Sequence, residues 1–75
     1  MYTFTEMNIN VFFGKEIKKI RLSKKISQEK LALDAEIDRT YITDIENGNR
    51  NVSLTIAFKL TNALDVPFSK LFKDL

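Results

Sequence analysis

The sequence contains no cysteine and no histidine among its 75 residues. A disulfide framework, a thiol nucleophile, a histidine base and every Cys/His zinc site are thereby excluded. Glycine occurs twice and proline once, so a glycine-rich loop that could cradle phosphate is missing as well. No apolar run approaches the roughly 20 residues of a membrane span, and no stretch reads as a signal peptide. A cytoplasmic protein without membrane contact is the expectation. The ten acidic residues are scattered, with no nucleophile–base pair or metal-ligand spacing among them. No catalytic residue, cofactor or metal site is therefore assigned, and an enzyme is not expected.

What remains is the composition of a folded domain, 44% apolar and 29% charged. A chain this short buries only about 60% of the surface its unfolded form exposes. Without covalent staples it relies on tight helix packing or on a partner subunit. Twelve basic residues against ten acidic ones leave a net charge of +2. The excess is concentrated early: Lys15, Lys18, Lys19, Arg21, Lys24, Lys25 and Lys30 face only Glu16 and Glu29 in that stretch. Charge alone leaves two readings open, a solvated lysine face and a surface turned toward a polyanion.

Residues 1–8 show no period and read as an N-terminal arm; residues 9–75 read as a single domain. Ile9, Phe12, Phe13, Ile17 and Ile20 recur at three- and four-residue spacing, which predicts a first helix from Ile9 to about Lys24. Gly14 lies inside it and marks a close approach of another backbone. Ser27 caps a second helix that places Leu31, Ala32 and Ala35 at core spacing. Asp38 starts a third, its carboxylate available to the amide of Thr40 or Tyr41. Gly48 closes it in the left-handed conformation. After the polar loop Asn49-Arg50-Asn51, Ser53 caps a fourth helix with Leu54, Ala57, Leu60 and Leu64 on one stripe. Pro67 suits the first turn of a short fifth helix carrying Phe68, Leu71, Phe72 and Leu75. No segment alternates as a strand does, so the fold class is all-α with five helices.

The second and third helices are joined by a turn so short that they are expected to cross steeply, as in a helix-turn-helix spanning residues 28–47. With each residue of a helix turning by about 100°, Arg39, Thr40, Thr43, Asp44 and Asn47 fall on one side of the third helix. Tyr41, Ile42 and Ile45 fall on the other. The polar side carries the short or planar hydrogen-bonding groups that address base edges in a major groove. An ordinary solvated amphipathic helix shows the same pattern, so the wheel by itself leaves both readings open.

The order of motifs is more specific. The stretch Phe13–Phe72 carries Ile17-x-x-Ile20-Arg21, Ser27-Gln28-Glu29-x-Leu31-Ala32 and Ile37-Asp38-Arg39-Thr40-Tyr41-Ile42-x-x-Ile45-Glu46-Asn47-Gly48. Arg50-Asn51, Leu54, Ala63-Leu64-Asp65-Val66 and Leu71-Phe72 follow. In this order the chain resembles the Cro/C1 (Xre-type) helix-turn-helix family, with a lambda-repressor-like fold. Within it, the chain looks most like the controller proteins of restriction–modification systems.

The resemblance implies a bacterial or phage-encoded regulator that binds double-stranded operator DNA as a homodimer. It also implies roles. Ser27 and Gln28 stand at the start of the second helix, where the family's glutamine grips a phosphate and braces the next helix. Arg39 and Thr40 match positions that reach base edges. Thr43 and Asp44 continue that face, with Asp44 able only to accept. Tyr41 is expected to pack its ring on the core edge and direct its hydroxyl to the DNA backbone. Asn47, Asn49, Arg50 and Asn51 suit phosphate contacts, which position a protein without reading sequence. Arg21 and Glu46 match a buried ion pair and belong to architecture. Val66, Phe68, Leu71, Phe72 and Leu75 are the expected dimer contact, with completion of the monomer core as the competing use. Contact with RNA polymerase from an upstream site would activate, and promoter overlap would repress.

Two other functions share this sequence pattern: the antitoxin of a toxin–antitoxin pair, and an interaction module that has lost DNA binding. Two positions also depart from the family pattern. Lys25 and Glu36 stand where relatives often carry glycine, and a positive φ is strained for either. The geometry of both turns is the point the sequence leaves open.

Overall fold

The computed structural model describes residues 8–72. The expected arm, apart from Asn8, and the expected contact Leu75 lie outside the described residues. Four α-helices, α1 (Ile9–Ser23), α2 (Gln28–Ala35), α3 (Arg39–Glu46) and α4 (Leu54–Leu64), are followed by a 3₁₀ helix, Phe68–Phe72. Among the described residues there is no strand, and no helix is long and apolar enough to cross a membrane.

Each α-helix begins on a side-chain cap. The Asn8 carboxamide oxygen accepts from the amides of Asn10 and Val11 at 3.1 and 3.3 Å. Ser27 Oγ accepts from the Lys30 amide at 3.0 Å, Asp38 from Thr40 at 2.8 Å, and Ser53 Oγ from Ile56 at 3.1 Å. Each cap satisfies an amide that the helix itself leaves without a partner. The Asp38 carboxylate thus serves Thr40 rather than Tyr41. These local bonds set the helix starts, and the short polar turns between them set the bundle.

The turns keep their form without glycine. Lys25 and Glu36 both adopt the left-handed conformation, at φ 58° and 57°, and Asp65 joins them at φ 57°. Behind Glu36 the amide of Ile37 returns to the Ala32 carbonyl at 2.9 Å, and behind Lys25 the amide of Ile26 returns to that of Arg21 at 3.1 Å. Each return bond satisfies a carbonyl at the end of the preceding helix, and Ile26 and Ile37 pack against the core. Those gains offset the local strain.

Phe13, Ile17 and Ile20 of α1, Leu31, Ala32 and Ala35 of α2, Ile42 and Ile45 of α3, and Ala57, Leu60 and Leu64 of α4 form one core with Leu71. Gly14 is buried, and a Cβ placed on it would collide with the carbonyl oxygen of Ile45. The missing side chain is what lets α1 lie directly on the backbone of α3.

Three expectations about the apolar positions need correction. The fifth helix is a 3₁₀ helix of five residues, short enough that an α-helical nucleus is not favoured. Leu54 opens α4 but lies 79% exposed, beyond the end of the core, and the buried stripe starts at Ala57. Ile9, at the first position of α1, is likewise exposed.

Candidate DNA-binding surface

The recognition helix candidate is α3, and its setting is fixed from beneath. Ile42 and Ile45 are fully buried, and Glu46 is buried beside them. The Glu46 carboxylate accepts from Arg21 Nε at 2.7 Å and Nη2 at 3.0 Å, and from Gln28 Nε2 at 3.0 Å. Arg21 Nη1 donates to the Ile26 carbonyl at 2.8 Å. The hydrogen bond to Glu46 raises the Arg21 pKa above the usual arginine value, against the opposing effect of burial. Among the described residues no buried side-chain nitrogen or oxygen lacks a partner. One cluster thus ties α1, the first residue of α2 and the last residue of α3, which is the condition under which buried charge is tolerated.

Gln28 extends the cluster toward the surface. Its carboxamide oxygen accepts from Thr43 Oγ1 at 3.1 Å, and the same hydroxyl lies 3.3 Å from the Arg39 carbonyl. Gln28 therefore ties the start of α2 to Thr43 and Glu46 of α3. Thr43 is half-buried with its hydroxyl engaged. The Ser27 hydroxyl is occupied by capping, while the residue itself stays exposed at the N-terminus of α2.

Arg39, Thr40 and Asn47 are exposed on α3. The Arg39 and Thr40 side chains make no hydrogen bond or ion pair among the described residues. Arg39 also borders a shallow cleft with Ser27 and Lys30 at the edge of α2. The outward face of α3 is therefore polar and open at its N-terminal end, where a helix entering a groove presents its reading residues.

The C-terminal side of that face is organised differently from the expectation. Asp44 is not free: its carboxylate accepts from Arg50 Nε at 3.3 Å. The Arg50 guanidinium also lies over the Tyr41 ring, 4.5 Å from its centroid. Tyr41 is half-buried and packed against the core. The loop is pinned by the Asn49 amide donating to the Asp44 carbonyl at 2.9 Å. At its far end Asn51 accepts from Asn10 Nδ2 at 2.6 Å, so part of its polar capacity is spent within the chain. Gly48 has φ 76°, and a Cβ there would meet Val11 at 2.8 Å. Asn10 and Val11 were not singled out from the sequence. Their partners are some forty residues away, and no periodicity reports such a contact.

The expected dimer residues divide. Leu71 is wholly buried in the chain's own core and is therefore not available to a second subunit. Val66, Phe68 and Phe72 are half-buried, with the Phe68 and Phe72 rings 5.5 Å apart edge to face. Leu54 and Phe58, at 79% and 56% exposure, line a shallow apolar depression with Thr55 and Phe68.

A polar helix carried on a buried ion cluster, behind a capped turn, defines a helix-turn-helix protein. Residues 17–71 match the model of the helix-turn-helix family HTH_3, and the chain belongs to that family, whose Cro/C1-type members are transcription regulators and not enzymes. It is 53% identical over 60 residues to the control protein C.BamHI of Bacillus amyloliquefaciens, covering 79% of this chain and 74% of that one. The restriction-modification controller protein C.AhdI of Aeromonas hydrophila superposes with a TM-score of 0.84 at 41% identity. That match covers 88% of this chain and 100% of the other. The controller protein C.Esp1396I, solved as a tetramer with its natural 35 base-pair operator, gives a TM-score of 0.82 at 33% identity over 96% of this chain and 90% of that one.

Proposed function

We propose that this protein is a sequence-specific transcriptional regulator that binds a palindromic operator as a homodimer and controls its own promoter and neighbouring restriction–modification genes. The observation that carries the reading is the outward face of α3. Arg39, Thr40 and Asn47 stand exposed, while Glu46, on the inward side, is locked to Arg21 and Gln28. A rigid mount beneath free planar and hydroxyl groups is what direct reading of base edges requires. Arg39 pairs in bidentate fashion with a guanine, Thr40 and Thr43 lie along the same groove wall, and Gln28, Asn47, Asn49 and Asn51 face phosphates.

In the homodimer, the two copies of α3 occupy successive major grooves about 34–36 Å apart. Leu54, Phe58, Val66, Phe68 and Phe72 supply the contact between subunits; the first two replace Leu71, which the monomer core takes. The C.Esp1396I tetramer on its operator supports a second dimer filling an adjacent site. Occupancy over the promoter represses, and occupancy upstream activates through RNA polymerase. The test is an electrophoretic mobility shift with the DNA immediately upstream of the protein's own gene, against a scrambled duplex of equal length. A shift of the upstream fragment alone, at a stoichiometry of two chains per half-site pair, is the expected result. No shift of any upstream fragment would overturn the reading.

A further inference from the structure

The cluster of Asp44, Tyr41 and Arg50 has a geometry that the reading of phosphate contacts does not use. Tyr41 and Asp44 are three residues apart on α3, so they are neighbours on its surface. Arg50 reaches back from the following loop and is held by both. Its Nε edge meets the Asp44 carboxylate at 3.3 Å and its flat face covers the Tyr41 ring at 4.5 Å. Neither terminal nitrogen of Arg50 donates to another group among the described residues. A guanidinium has a rigid fork of donors. With its Nε side and one face fixed, the remaining donors are aimed in one direction.

A carboxylate on a DNA-facing helix is otherwise an odd choice, since it repels phosphate. About half of the Arg50 side chain is exposed, and about a third of that of Asp44, so the pair adds little to stability. Its effect falls instead on binding. We infer that Asp44 is a specificity-determining positioning residue: it fixes the Arg50 guanidinium against Tyr41 for one phosphate geometry and withholds it from others. This rests on the DNA-binding reading above. On operator DNA the ordering of Arg50 is already complete before contact, which removes the entropic cost of immobilising a long side chain. On non-specific DNA the phosphates do not fall where the fork points, and the Asp44 charge opposes the approach.

The test measures binding of wild type, Asp44→Ala and Asp44→Glu to the upstream operator fragment and to a scrambled duplex, each across a salt series. Removing one negative charge near a phosphate raises non-specific affinity about threefold. Loss of the ordered Arg50 lowers operator affinity by a similar factor. The ratio of operator to non-specific affinity is therefore expected to fall about tenfold in Asp44→Ala. Asp44→Glu, which keeps the charge and reaches Arg50, is expected to restore most of it. In the DNA-free protein, the Arg50 Nε–Hε resonance is expected at a shifted position that collapses to that of a free arginine in Asp44→Ala.

An unchanged ratio, or an equal loss of affinity on both duplexes, overturns the role given to Asp44 while leaving operator binding intact. So does an Arg50 resonance that is free-like in wild type. A wild-type protein that binds neither duplex overturns the DNA-binding reading itself and takes this inference with it.

Discussion

Arg21 on α1 and Glu46 at the end of α3, twenty-five positions apart, share two hydrogen bonds of 2.7 and 3.0 Å with both side chains almost fully buried. The pair sets where α3 sits on the body. Burying two charges brings little net stability, because their desolvation consumes the attraction. What the pair provides is a single allowed position for the helix end, since any shift strands a charge in the core.

Arg21→Ala is expected to destabilise the fold by about 3–5 kcal/mol, since the Glu46 charge is left buried without its main partner. Arg21→Met combined with Glu46→Leu should lose far less. Urea unfolding of the three proteins checks this. The pH dependence has a definite sign. The Arg21 pKa is raised in the folded state, chiefly by its hydrogen bond to Glu46, so its contribution is complete below the ordinary arginine range. It is lost only as pH rises through the higher folded value. The difference between wild type and the Arg21→Met, Glu46→Leu double variant, which leaves no unpaired buried carboxylate, is therefore expected to stay constant from neutral to mildly alkaline pH.

Gly14→Ala tests the contact of α1 with α3. Helix propensity alone favours alanine by up to about 1 kcal/mol. The added methyl group meets the Ile45 carbonyl oxygen, with the carbonyl carbons of Ile45 and Glu46 at 3.1 and 3.2 Å behind it. Backbone cannot swing aside as a side chain does. A net loss of about 1–3 kcal/mol is expected from overpacking, read as a lower thermal midpoint. A gain in stability would show that α1 slides freely over α3.

Arg39→Ala and Arg50→Ala should separate base reading from backbone contact. Arg39 has no side-chain partner among the described residues to lose, so its removal should leave stability unchanged and cost about 1–3 kcal/mol of discrimination at one base pair. Arg50→Ala should weaken binding to operator variants alike and reduce the salt slope by about one. Binding to a panel of single-base operator variants at two salt concentrations distinguishes the two outcomes. A changed ranking among the single-base operator variants in Arg50→Ala would contradict its assignment to phosphate, whereas a lower ratio of operator to non-specific binding is expected, as in Asp44→Ala.

Phe58→Ser with Leu54→Ser addresses the subunit contact. Both side chains are exposed, so the double substitution should leave the fold intact by circular dichroism while shifting sedimentation to the monomer. Truncation before Phe68 is a poorer probe, because it also removes Leu71, which is fully buried in the core. A dimer that persists in the double variant would move the contact elsewhere.

The sequence alone determined the helices and their starts, because capping and apolar spacing act over a few neighbouring residues. Ser27, Asp38 and Ser53 each precede a helix and do cap it, and Ile17, Ile42, Ile45 and Leu60 are buried as their spacing required. The polar face of α3 was legible for the same reason, and the pairing of Arg21 with Glu46 came from the order of family motifs. Tertiary structure decided what depends on distant partners. Leu54 has the spacing of a core residue, yet the core ends before reaching it. Leu71 suits either a subunit contact or the monomer core by its spacing, and the bundle closes over it. Asp44 lies on the reading face by its angle, but its neighbour is Arg50, brought back by the turn at Gly48. Lys25 and Glu36 take the backbone conformation normally left to glycine, because the return bonds of Ile26 and Ile37 and their packing outweigh a local strain. Periodicity records which way a side chain points from its own helix. Only the folded chain fixes what it meets there.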